Sequence, residues 1–179
     1  MAEKTVAVLC VSKNSIYKNY DKADCYDIDR DVRQFAGVLP VVAHPPCRAW
    51  SAYTAHQAKP LEGEKELGPL CVDHFKNNGG VLEHPAHSRL YEYCGLPLPG
   101  KSNGDLITVA VWQSWWGYSM RKSTWLCFNR IDLAGLIFPY RLTMPGGDRR
   151  RQQLMGHAER AATVPAFAEW LMNAATQTK

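Results

Sequence analysis

The chain has 179 residues, 46% of them hydrophobic and 21% charged, a composition that excludes disordered and collagen-like proteins. A chain of this length hides roughly 70% of its unfolded surface in one core, so a single domain over residues 1–179 is expected. The net charge of +4 admits a polyanionic partner without requiring one. Cys10, Cys25, Cys47, Cys71, Cys94 and Cys127 are widely spaced with no CxxC pair, the pattern of reduced thiols. No apolar run approaches the ~18 residues of a bilayer span, and the start Met1-Ala2-Glu3-Lys4 enters a Val/Leu segment without a cleavage site. The expectation is a cytoplasmic protein with no membrane association.

In chain order, the β-branched run at 5–11 reads as a buried strand that gives way to the polar Ser12-Lys13-Asn14-Ser15. Residues 23–28 and 38–43 read as further strands, the latter closing on His44-Pro45-Pro46-Cys47. Leu67, Leu70, Cys71 and Phe75 fall at helical spacing within 63–77, and Asn78-Gly79-Gly80 stops that helix before a strand at 81–83. This strand, helix, strand rhythm is an α/β signal. Residues 105–116 read as a helix capped at Asn103 or Asp105, and 122–128 as a late strand. Met144-Pro145-Gly146-Gly147 marks a loop, and 149–179 carries two helical segments interrupted at Pro165.

The segment 41–51 holds the most chemistry. An apolar strand delivers Cys47 into a turn stiffened by two prolines, which displays a thiol beyond a strand's C-terminal end, where open α/β sheets bind their ligands. The bland reading of the same residues is a structural thiol in a Pro-rich loop.

Order and spacing along the chain carry a resemblance. Pro45-Pro46-Cys47 resembles the Pro-Pro-Cys-Gln motif of the cytosine carbon-5 DNA methyltransferases, with Arg48 in place of the Gln and Ser51 at the family's Ser. Gly80-Val81-Leu82-Glu83-His84-Pro85 is similar to the strand ending in Glu-Asn-Val, with Glu83 as its Glu. The stretch 116–126 looks like the Gly-Val-Pro-Gln-x-Arg-x-Arg strand, with Arg121 as the first Arg and Ser123 where the second stands. Cys25 to Asp29 is similar to the second strand, and Asp27 takes the place of the acid that binds the ribose of S-adenosylmethionine. Gln153-Leu154-Met155-Gly156 and Ala162-Thr163-Val164-Pro165 resemble the closing motifs, without the Asn that precedes the family's Val-Pro.

The resemblance covers roughly residues 23–172 and implies a mostly parallel, methyltransferase-like (Rossmann-like) sheet with flanking helices. It departs from the family in two places. No glycine-rich loop follows the first strand, and the 20 residues 129–148 leave no room for a target-recognition domain, as in a short, phage-type relative. What it implies for the site is Cys47, Glu83 and Arg121 in catalysis. Asp27, Ser12, Asn14 and Pro45 would lie on the methyl donor, S-adenosylmethionine, and Pro46, Arg48, Ser51 and Lys122 on the substrate.

The residue types suit that chemistry. A thiolate adding to carbon 6 turns a pyrimidine into an enamine nucleophilic at carbon 5. A carboxyl group against ring nitrogen 3 supplies a proton or hydrogen bond there, and a nearby cation helps keep the thiol ionised. The implied partner is DNA read with low sequence specificity or a free pyrimidine nucleotide, with a protein partner as a further means of target recognition.

Other readings compete. Cys71 and His74, then His84 and His87, are two pairs at a spacing common in zinc sites, consistent with a zinc-stabilised module. A base-modifying enzyme with another donor, or a catalytically silent relative that binds nucleic acid or protein, uses the same residues. Arg149-Arg150-Arg151, with Lys101, Arg121 and Lys122, reads either as solvated charge or as a phosphate track. Trp112, Trp115 and Trp116 sit at helical spacing and are expected to pack in the core.

Overall fold

The computed structural model describes residues 3–52, 55–140, 155, 156, 159 and 161–177. Its strands are β1 (Val6–Leu9), β2 (Ala23–Cys25), β3 (Val41–Ala43), β4 (Gly80–Pro85), β5 (Ser102–Asn103), β6 (Leu106–Trp112) and β7 (Ser123–Asn129). All belong to one sheet in the order β2-β1-β3-β4-β7-β6-β5. β2, β1, β3 and β4 run parallel, whereas β7 is antiparallel to β4, β6 to β7, and β5 to β6. The fold is α/β, but the sheet is mixed. The mostly parallel expectation describes the β2-β1-β3-β4 half alone, because the chain after β4 returns through the β6–β7 pair.

Alternation along the strands builds a core on each face. Val6, Val8, Val42, Val81, Leu126 and Phe128 pack under α3 (Pro165–Ala175), whose Phe167, Ala168, Leu171 and Met172 are buried. Ala7, Leu9, Val41, Ala43 and Leu82 face the other way, against Cys71, Val72 and Phe75 of α1 (Leu67–Asn78) and Leu90 and Tyr91 of α2 (Arg89–Tyr93). Three layers result, with helices on both sides of the sheet. Pro165 begins α3, since proline suits a first helical turn whose N–H groups have no partner. Of the other segment expected after residue 149, Arg149, Arg150, Arg151, Gln153 and Leu154 lie outside the described residues. Among those described, no helix is long and apolar enough to cross a membrane.

The helix expected at 105–116 is a strand followed by a tight turn. Ile107, Thr108, Val109 and Val111 place β-branched side chains in β6, which β7 pairs along its whole length. Only Gln113–Trp116 coils, as one 3-10 turn closed by Gly117 in the left-handed region. Trp115 and Trp116 are buried in the core as expected, while Trp112 stays on the surface.

Candidate active site

β3 and β4 are parallel neighbours, with Ala43 opposite Leu82, so their C-terminal ends deliver His44 and Glu83 side by side. Alternation puts both on the α3 face: Val42 and Val81 face that side, as do the residues two further on. Cys47 lies in the turn beyond β3, and its side chain is exposed. Its carbonyl accepts the N–H groups of Trp50 and Ser51, which curls 47–51 back on itself. Trp50 anchors the turn: it is buried, its indole N–H donates to the Lys65 carbonyl at 3.2 Å, and its own carbonyl accepts from the Arg89 N–H. Gly68 makes room for it, since a Cβ there would lie 2.5 Å from the indole nitrogen.

Glu83 is the centre of a buried hydrogen-bond network. One carboxylate oxygen lies 3.0 Å from His44 Nδ1, and the other accepts from the Gln113 side-chain amide at 3.0 Å. His44 Nε2 lies 2.8 Å from the Tyr17 hydroxyl, and the same Gln113 amide nitrogen donates to Thr124 Oγ1 at 3.0 Å. Burial pushes the Glu83 carboxyl up. The His44 hydrogen bond and charge, with Lys122 and His84, outweigh that and bring it from 4.5 to about 2. At neutral pH Glu83 is an anchored carboxylate with 12% of its side chain open to solvent.

Cys47 shares the electrostatic surroundings of that carboxylate. Desolvation and then the Glu83 charge raise its thiol above 9.0, and Lys122 pulls it back. The cation whose field reaches both Cys47 and Glu83 is therefore Lys122, whose ammonium also lies 5.4 Å from the Tyr118 ring centre. Arg121, expected in that role, is exposed on the loop before β7. Arg48 is turned away from the expected substrate contact, its guanidinium donating to the buried Glu64 at 2.8 Å. Pro45 is buried, and Pro46 and Ser51 are half-buried beside the thiol.

The ends of β1 and β2 hold Asp27, Ser12 and Asn14, expected on a methyl donor, and Asp27 is taken up by its neighbours. Asp27 Oδ1 accepts the backbone N–H groups of Asp29 and Arg30, and Oδ2 accepts from Lys18. The Lys18 hydrogen bond, opposed by burial and assisted by those N–H groups, holds this carboxyl below 3.8. Ser12 and Asn14 are exposed in a tight turn closed by the Ser15 N–H, with Lys13 paired to Asp29 at 2.8 Å. The Val11 N–H donates to the Tyr26 carbonyl and draws the two loops together. These residues do not fit a cradle for S-adenosylmethionine, which requires a free acid for the ribose and a backbone that glycine lets approach closely.

The zinc reading is corrected. Cys71 Sγ lies 3.3 Å from Cys10 Sγ, His74 packs edge-on against Phe35, His84 is fully buried, and His87 sits against Trp125. Among the described residues no three His, Cys, Asp or Glu side chains form a metal-holding group. Sequence reasoning missed Tyr17, His44, Gln113 and Thr124, which lie far from Glu83 along the chain and meet it only across the sheet. One signal was present: His44 follows Val42 by two, so it shares the face of Glu83. Comparison of the chain with protein-family models, curated proteins and solved structures finds no match in any of the three.

Proposed function

We propose that the chain is a pyrimidine-modifying enzyme of the cytosine carbon-5 methyltransferase type, in which Cys47 adds to carbon 6 of the base. The observation that carries this reading is an exposed thiol beyond β3, within the field of an anchored carboxylate at the end of β4. As a carboxylate, Glu83 accepts a hydrogen bond from a ring or amine N–H and orients the base. Lys122 favours the thiolate as the sulfur attacks. S-adenosylmethionine is the donor the resemblance implies. Because Asp27 is held by Lys18 and two backbone N–H groups, no step is assigned to it. The substrate is a cytosine in DNA bound with little sequence preference, or a free nucleotide, since the same chemistry serves both.

Addition at carbon 6 labilises the hydrogen on carbon 5 whether or not a donor is present. The test is loss of deuterium from carbon 5 of labelled cytosine, offered in duplex DNA, in single-stranded DNA and as a nucleotide. Exchange by the native chain and none by Cys47→Ala is expected. No exchange from any of the three substrates overturns the reading, and exchange with the nucleotide alone overturns the DNA assignment. Calorimetry with S-adenosylmethionine and S-adenosylhomocysteine decides the donor: binding supports methyl transfer, and its absence points to another donor.

A further inference from the structure

Thiol addition to the base sets an acid-base requirement at Glu83. When the Cys47 sulfur forms its bond to carbon 6, the C5–C6 π pair shifts to C4–C5 and the C4–N3 π pair moves onto nitrogen 3, which must then take a proton. Glu83 is ionised and holds no proton to give. Directly behind it stand His44, bonded through Nδ1 to the carboxylate oxygen, and Tyr17, bonded to the other ring nitrogen. Tyr17 is 1% exposed, so this chain of three groups is closed to solvent at its far end.

We propose that Tyr17, His44 and Glu83 form a proton relay in which His44 stores the proton required at ring nitrogen 3. This rests on the pyrimidine reading above. In the imidazolium state, Nδ1–H donates to Glu83 and Nε2–H donates to the Tyr17 oxygen. As sulfur adds, the Nδ1 proton passes to the Glu83 carboxylate and on to nitrogen 3. His44 is left neutral as the Nε2–H tautomer, which still donates to the Tyr17 oxygen while the bare Nδ1 is ready to be reprotonated. Tyr17 keeps its own proton in both states, because burial and the Glu83 charge hold the phenol well above 10.0. A hydroxyl suits this place since its oxygen accepts from Nε2–H in both states and so fixes Nδ1 as the nitrogen that gives up its proton. The other charged or titratable groups acting on the relay are His84 beside Glu83 in β4, Lys122 before β7, Cys47 in the adjoining turn, and Cys25 and Tyr20 near Tyr17. His44 is thereby a positioning and proton-storing residue, acting on the substrate through Glu83.

The test is the pH profile of carbon-5 deuterium exchange for the native chain, His44→Gln and Tyr17→Phe. Gln can still hold the carboxylate but stores no proton. For the native chain we expect a bend beyond which the rate falls as pH rises, since the step needs the stored proton. For His44→Gln the rate at pH 7 should fall about tenfold or more, KM should change by less than about twofold, and the bend should vanish. Tyr17→Phe retains the buried ring and should slow exchange severalfold, moving the bend to lower pH because the imidazolium loses an acceptor. If both variants keep the native rate, or His44→Gln is slower but keeps the bend, the relay is wrong while exchange by the native chain upholds the base chemistry. If the native chain gives no exchange, both readings fall together.

Discussion

His84 follows Glu83 in β4 and, by alternation, faces the opposite side of the sheet, where it is 0% exposed. Its ring stands behind the Pro45 and Pro46 carbonyls, near them but without a completed hydrogen bond at either nitrogen. Burial lowers its pKa from 6.5 to about 4, against the pull of Glu83. The unfolded chain binds this proton as pH falls through 6.5 and the folded chain resists until about 4, so folding stability declines across that window, by up to about 3 kcal/mol. Glu83 adds a second, more acidic window: its folded value of about 2 against 4.5 gives stability present above 4.5 and lost as pH falls towards 2. Denaturant unfolding at intervals from about pH 7 down to about pH 2.5 checks this. His84→Leu, which removes the titrating ring, is expected to flatten the decline between 6.5 and 4 and leave the lower window.

At the scale of elements, the site depends on how closely β4 approaches β3. Gly80 opens β4 with φ +115°, and a Cβ there would stand 2.1 Å from the Val41 carbonyl oxygen and 2.7 Å from its nitrogen. Neither backbone atom can retreat, since Val41 is held between β1 and β4. Gly80→Ala is therefore expected to cost about 3 kcal/mol or more, read as a fall in the urea midpoint. The Gly79-Gly80 pair was legible as a helix stop, but the contact that makes Gly80 indispensable was not. β6 shows the same in the other direction: a cap at Asn103 or Asp105 pointed to a helix over 105–116, and pairing with β7 along seven residues decided for a strand. Tertiary pairing overrides a local period when the segment is rich in β-branched residues.

At the scale of the whole molecule, strand order places the site. β1 connects on one side to β2 and on the other to β3, so the loops after β1 and β3 diverge, the place where open α/β sheets bind ligands. Tyr17 comes from the first of these loops and His44 from the second, and their hydrogen bond ties the two together. The net charge of +4 bears on substrate class. If the base is presented in DNA, raising salt from 50 to 200 mM should weaken exchange on the duplex about tenfold or more through counterion release, with the nucleotide arm much less affected. Equal salt sensitivity in both arms would count against phosphate contacts beyond the modified nucleotide.

What the sequence determined by itself was local. Local patterns marked strands at 5–11, 23–28, 38–43 and 81–83, the Asn78-Gly79-Gly80 stop ended α1, and the Pro-Pro-Cys turn after an apolar strand exposed Cys47, because strand propensity and proline geometry act within a few residues. It also marked Glu83 as a strand-end acid. Only the tertiary structure decided which side chains surround that acid. His44, Gln113 and Lys122 converge on Glu83 from separate elements, with Tyr17 behind His44, while Asp27 and Arg48, which matched a motif, are taken up by Lys18 and Glu64. A buried carboxylate takes its charge state from the groups packed around it, and those are set by strand order and register, which no local pattern contains.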